Sequence, residues 1–132
     1  MKTFLVVLVT GVMLLGAGSV QAQNISVFIQ PVGPNPVIPN TGGSFQYTVT
    51  ITNNDPFAVT IDAWTAAFVP PNNNLVQPFQ TAFGLTLAGF QTVSGTFTQN
   101  VPGWAPSGTY SYYIFAGSSY PNAIMEWAFP FT

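Results

Sequence analysis

Apolar and polar residues alternate with a period of two along much of the chain. Phe45, Tyr47, Val49 and Ile51 take turns with Gln46, Thr48, Thr50 and Thr52, which is the pattern of a strand with one face in a core and one in water. Asn53, Asn54, Asp55 and Pro56 supply turn chemistry, and Phe57, Val59 and Ile61 resume the alternation beyond them. This pair reads as a hairpin or as a connection between two sheets. The phase then slips. Phe57, Val59 and Ile61 are odd-numbered whereas Trp64, Ala66 and Phe68 are even, so a bulge or a change of sheet is expected near Asp62 and Ala63. By its alignment with Ala66 and Phe68, Trp64 is expected to be the core tryptophan of a sandwich.

Pro70, Pro71 and Asn72 to Asn74 end that strand in a surface turn. Further strands are expected around Leu75–Gln80, Leu85–Leu87, Thr92–Val101, Thr109–Ala116 and Ile124–Phe131, after a first one at Ile25–Ile29. Pro31 to Ile38 can run extended but pair on one side only. The 12 prolines are spread so closely that long helices have no room. The reading is all-β: an antiparallel Ig-like β-sandwich of seven or eight strands, in one domain spanning residues 23–132.

Residues 1–22 follow a different pattern. A single positive charge at Lys2 precedes an apolar run from Phe4 to Leu15, and Val20 and Ala22 occupy the −3 and −1 positions of a small-residue cleavage site. A cleavable signal-peptide helix is expected here, cut after Ala22, with an uncleaved N-terminal anchor as the alternative. After cleavage no stable membrane span is expected, and the product is secreted or held at the cell surface.

Composition narrows the chemistry. The chain is 48% apolar and 15% aromatic, and only Lys2, Asp55, Asp62 and Glu126 carry charge, with no His and no Cys. That leaves no thiol nucleophile, no imidazole and no His or Cys ligands for zinc or haem. One lysine cannot displace counterions from a phosphate backbone, so no nucleic-acid partner is expected. Asp55 is expected to cap backbone donors in its turn, Asp62 to satisfy amides at the phase slip, and Glu126 to be a solvated strand residue. No loop gathers acids for calcium, and three isolated carboxylates without a cation make a poor acid–base pair. No catalytic residue, metal site or cofactor is expected.

Several segments, in order and spacing, resemble a recurring bacterial Ig-like module of secreted and cell-surface proteins. They are Ile38–Pro39 with Gly42 to Phe45, the Thr-rich alternation into Asn53–Asn54, and the Trp64 strand closing at Pro70. Leu85–Leu87, Thr98 to Pro102, Ala105 to Tyr110, Tyr120 to Asn122 and Phe129 to Phe131 continue the likeness. The resemblance implies an Ig-like fold in a family whose biochemical activity is largely unassigned. Where such modules often carry acids before the final Phe-x-Phe, this chain has Met125, Glu126, Trp127 and Ala128.

Aromatic side chains are the remaining signal. Trp104 lies between Gly103 and Ala105 in a proline-flanked loop, and the strand around Tyr110 to Phe115 places rings on both faces, so some must point outward. Trp104, Tyr113 and Trp127 are the candidate contact residues. Ordinary soluble surfaces are about a quarter charged, and this one is nearly bare of charge. The functional expectation is a non-catalytic exported structural or interaction protein. It would associate through sheet edges or aromatic faces with itself or with a cell-surface partner; a carbohydrate-binding module stacking rings on a polysaccharide is the alternative.

Overall fold

The computed structural model describes residues 24–132, so the expected signal peptide lies outside the described residues. Eight strands follow in order: β1 (Ile25–Pro31), β2 (Gly42–Asn53), β3 (Val59–Val69), β4 (Asn74–Val76), β5 (Thr81–Leu87), β6 (Thr92–Pro102), β7 (Tyr110–Gly117) and β8 (Met125–Phe131). No helix occurs among the described residues. All pairings are antiparallel. The first sheet runs β1–β2–β6. In the second, β3 is flanked by β7 and then β8 on one side, and by β4 and β5 in succession on the other. The all-β sandwich read from the alternation is the observed fold.

The two sheets bury their facing sides against each other. Ile25, Val27 and Ile29 of β1 and Phe45, Tyr47, Val49 and Ile51 of β2 meet Ile61 and Ala63 of β3, Tyr112 and Ile114 of β7, and Phe129 and Phe131 of β8. Rings dominate one end of this core: Phe45 lies 5.1 Å from Tyr112 and 4.9 Å from Phe131, centroid to centroid. The Asn53–Pro56 turn is a connection between sheets, because β2 and β3 belong to different ones. Asn53 is fully buried there. Its carboxamide donates to the carbonyls of Phe57 at 2.9 Å and Ala88 at 3.0 Å and accepts the N–H of Asp55 at 2.9 Å. One side chain thus ties the crossover to the β5–β6 turn and leaves no polar atom of its own unpaired.

The phase slip has a different cause from the one expected. β3 pairs with β7 without interruption from Asp62↔Gly117 to Phe68↔Ser111, so the strand never changes face. Odd residues Val59, Ile61, Ala63, Thr65 and Ala67 all point to the core. Trp64, Ala66 and Phe68 point to the other side of the sheet, so Trp64, though only 1% exposed, is not the tryptophan of the inter-sheet core. The register shift does fall between Ile61 and Ala63, and the extra residue belongs to the partner: Ile61 faces Leu85 and Ala63 faces Ala82. Gly84 lies inside that shift with φ of 66°, a conformation that a side chain would strain.

The strand expected at Leu75–Gln80 stops at Val76, because Pro78 has no N–H to donate; pairing resumes at Thr81. Between them Thr65 holds the edge, accepting the N–H of Phe79 and donating its own to Gln80. The proline-rich segment is an edge, as expected. Ile38 donates to the carbonyl of Thr132 at 2.7 Å, and Thr132 donates to Pro36 at 3.2 Å. In β7, the hydroxyl of Tyr110 donates to the carbonyl of Pro106 at 2.6 Å, the tyrosine corner of Ig-like sandwiches.

A polar chain crosses the core. The Thr65 hydroxyl accepts the N–H of Gln80 and lies 3.1 Å from the Tyr112 hydroxyl, which reaches the Gln99 side-chain oxygen at 2.7 Å. Burial pushes the Tyr112 phenol well above its usual value, so it stays a neutral donor. The neighbouring Tyr47 hydroxyl is buried beside those of Tyr112 and Thr65, but neither meets it in hydrogen-bond geometry.

Candidate functional site

The outer face of the second sheet carries a continuous file of rings. Because β3 keeps its even residues outward and pairs in register with β7, Trp64 is set directly opposite Phe115, and Ala66 opposite Tyr113. The small Ala66 leaves room for the rings beside it. Trp64 and Phe115 lie 5.8 Å apart, Phe115 and Tyr113 5.1 Å, and Tyr113 and Phe68 5.3 Å. At the other end Tyr120 meets Trp64 edge-on at 4.8 Å, and Phe83 follows at 5.3 Å. Aromatic pairs of this geometry contribute about 0.5–1.5 kcal/mol each beyond burial.

Asp62 assembles one end of this file. It points outward from β3, and its two carboxylate oxygens accept the N–H of Gly84 and the N–H of Tyr120, each at 2.9 Å. The carboxylate therefore satisfies the bulge in β5 and also fixes the β7–β8 loop, which lays Tyr120 over Trp64. These bonds, the one from Tyr120 first, hold the Asp62 carboxyl below its ordinary value. The Trp64 indole N–H donates to the Gln77 side-chain oxygen at 2.9 Å. A ring buried outside the main core thus has its polar atom satisfied.

The middle of the file is closed and its ends are open. Trp64 and Phe115 are buried, Tyr113 and Phe68 are half-buried, and Phe83 is 50% exposed. Tyr113 and Phe115 are nearly parallel, with planes 11° apart, so each covers a face of the other. Tyr113 is thus held half-buried between Phe115 and Phe68. Glu126 stands in register with Phe115. Burial first, and the Glu126 charge second, raise the Tyr113 phenol above its usual value. Chemically, the face is an apolar contact strip with hydroxyl and amide margins. It presents no nucleophile beside a base, and both oxygens of Asp62 are engaged in structure.

The three candidate contact residues are not brought together. Tyr113 belongs to the ring file. Trp127, 45% exposed, occupies the inward register of β8 but lies at the sheet edge, where its ring meets Phe28 of β1 at 5.5 Å. Trp104, in the β6–β7 loop, is 84% exposed, and no ring contact involves it among the described residues. Phe68, Phe83 and Tyr120 complete the file and were not singled out by sequence reasoning. The alternation Trp64, Ala66, Phe68 pointed to Phe68; nothing in the pattern ties Tyr120 or Phe83 to that face.

No protein-family model matches the chain, and no curated protein matches it. Solved structures do. The chain is similar to the CARDB domain of a Pyrococcus furiosus protein in a solution NMR structure, with TM-score 0.60 and 14% identity over 86% of this chain and 96% of that one. It is similar also to a crystal structure of that domain in complex with di-metal ions, with TM-score 0.55 and 14% identity over 83% and 87%. A β-glucosidase from Erythrobacter marinus matches with TM-score 0.54 and 12% identity over 83% of this chain, but the match spans only 16% of the enzyme. At these identities the likeness is one of fold, a CARDB-like antiparallel sandwich. Among the described residues no three His, Cys, Asp or Glu side chains come together as a metal site would require.

Proposed function

We propose that the chain is an exported, non-catalytic Ig-like interaction module that works by contact, docking its aromatic file against a protein partner at the cell surface. The observation that carries this reading is the file itself. Six rings run in unbroken contact across the outside of a sheet, with open ends at Phe83 and at Phe68 and Tyr113. Rings on an outer sheet face that is not covered by another layer mark an interaction surface. The CARDB domains, which span nearly the same length, share the sandwich fold on which this reading stands. The scarcity of charge, three acids in the described residues, supports docking with little electrostatic steering.

Retention of the purified protein on the envelope of its producing cell tests the reading. Phe83→Ser with Tyr113→Ser is expected to lower the retained fraction at least about tenfold, a loss of about 1.4 kcal/mol or more. Unchanged retention in that variant contradicts docking through this face.

A second reading has its own observation. Trp104 presents a ring without a neighbouring ring on a loop, as a sugar-stacking residue would. Binding to an insoluble polysaccharide that is lost on Trp104→Ala, and kept by the Phe83/Tyr113 variant, would establish a carbohydrate-binding module instead.

A further inference from the structure

We propose that two copies of the chain pair through β6, antiparallel about a two-fold axis at Phe97, and merge their three-stranded sheets into one of six strands; this rests on the contact reading above and names a second partner surface for it.

The parity of hydrogen bonding along β6 shows what its free edge offers. Asn53 donates to the carbonyl of Gln91 at 2.9 Å, immediately beyond the last β2–β6 pair. In an antiparallel ladder, bonded and non-bonded pairs alternate, so the odd pairs such as Ile51↔Val93 and Val49↔Gly95 are the bonded ones. The even pairs are the close, non-bonded ones. Their side-chain hydroxyls accordingly touch: Thr48 with Thr96 at 3.2 Å, Thr50 with Ser94 and Thr52 with Thr92 at 3.0 Å. Thr92, Ser94, Thr96, Thr98 and Asn100 therefore turn their backbone N–H and C=O groups away from β2. Of these groups only the Asn100 carbonyl is occupied, by the Gln99 side-chain N–H at 2.9 Å.

The other edges are blunted and this one is not. β8 carries Pro130 and Glu126, and its end is held by the proline-rich segment. β1 is flanked by the Phe28–Trp127 ring contact. The β4–β5 edge is broken at Pro78 and bulged at Gly84. From Thr92 to Val101, β6 has no charge, no proline and no bulge, and stays in unbroken register with β2. Long, regular, uncharged edges of this kind pair with further strands. In a four-stranded ABED sheet another strand would lie outside β6; here β5 pairs with β3 instead.

A second copy of β6 fits this edge. The strand spans Thr92–Pro102, so full antiparallel overlap centres on Phe97. That register sets Thr96 opposite Thr98 and Ser94 opposite Asn100, so the outward N–H and C=O groups of the central pairs meet one another, while Thr92 faces Pro102, which has no N–H to give. Phe97 is 38% exposed and its ring touches Tyr47 at 5.8 Å. Gly95 makes room for this ring, since a Cβ there would lie 2.9 Å from it. Across the axis the two Phe97 side chains become a non-bonded pair, the position where aromatic cross-strand contacts are closest. None of the three acids lies on β6, so no like charges oppose the pairing.

Sedimentation velocity of the purified exported protein, from low micromolar to millimolar, tests the proposal. The wild type is expected to pass from monomer to dimer. Thr96→Lys/Thr98→Lys sets lysine against lysine and is expected to weaken dimerisation at least about tenfold. An equimolar mixture with Thr96→Glu/Thr98→Glu is expected to restore it, which misfolded variants would not do. A wild type that stays monomeric throughout, a dimer untouched by the lysine pair, or a mixture that stays monomeric overturns the pairing. Envelope retention separates the two readings: a monomeric wild type that is still retained overturns only the β6 pairing, and a β6 dimer that is not retained leaves the pairing standing without ring-face docking.

Discussion

The carboxylate of Asp62 accepts the backbone N–H of Tyr120 at 2.9 Å, across 58 positions of sequence. This bond carries the β7–β8 loop over the outside of the second sheet and sets a phenol ring edge-on to Trp64. One of only three acids in the described chain thus shapes the face on which contact is proposed.

That bond makes stability depend on pH in a defined direction. The Asp62 carboxyl sits below its ordinary value of 3.8 in the folded chain. Its contribution is therefore complete above that value and is lost as pH falls through the lower, folded one. Urea midpoints measured between about pH 6 and about pH 2.5 should fall on the acid side, and Asp62→Asn should remove most of that slope while lowering the midpoint near neutrality. An unchanged slope in Asp62→Asn would contradict the assignment.

Asn53 should be among the costliest polar side chains to remove. Truncation to alanine leaves the Phe57 and Ala88 carbonyls and the Asp55 N–H without their partner. A loss of about 2–4 kcal/mol is expected in urea denaturation.

The two core tyrosines should respond unequally to losing a hydroxyl. Tyr112→Phe breaks the chain from Thr65 to Gln99 and should cost about 1–2 kcal/mol. Tyr47→Phe removes a buried hydroxyl that lies beside Tyr112 and Thr65 without completing a hydrogen bond, and should change stability by less than about 1 kcal/mol. Thermal melts of the pair decide it.

The tryptophans separate by location. Trp64→Ala empties a buried site and should cost about 3–5 kcal/mol. Trp104→Ala should stay within about 0.5 kcal/mol of the wild type, as its ring is almost fully exposed. Urea denaturation showing a loss of about 3 kcal/mol or more in Trp104→Ala would place its ring in packing.

Most of the strands were legible because side-chain period and turn residues report on local structure. Phe45 to Ile51 is such a case: each odd residue is buried as its alternation implied. The role of Asp62 could be anticipated from the same signal, since a break in period needs amides satisfied. The face of Trp64 could not. A strand buried on both sides is apolar at odd and even positions alike, and its pattern does not say which set meets the main core. Tyr120 and Phe83 reach the file through a loop and a bulge, and such long-range placement leaves no periodic trace. Nor does the pattern reveal that Trp104, Tyr113 and Trp127 occupy separate surfaces.

The ionic-strength dependence of envelope retention tests contact without charge most directly. With three acids and no basic side chain after residue 2, a partner held by the ring file should retain the wild type within about twofold from low to high salt, while Phe83→Ser/Tyr113→Ser is lost at every concentration. Retention that falls tenfold or more as salt rises, with the double variant behaving like the wild type, would contradict the account.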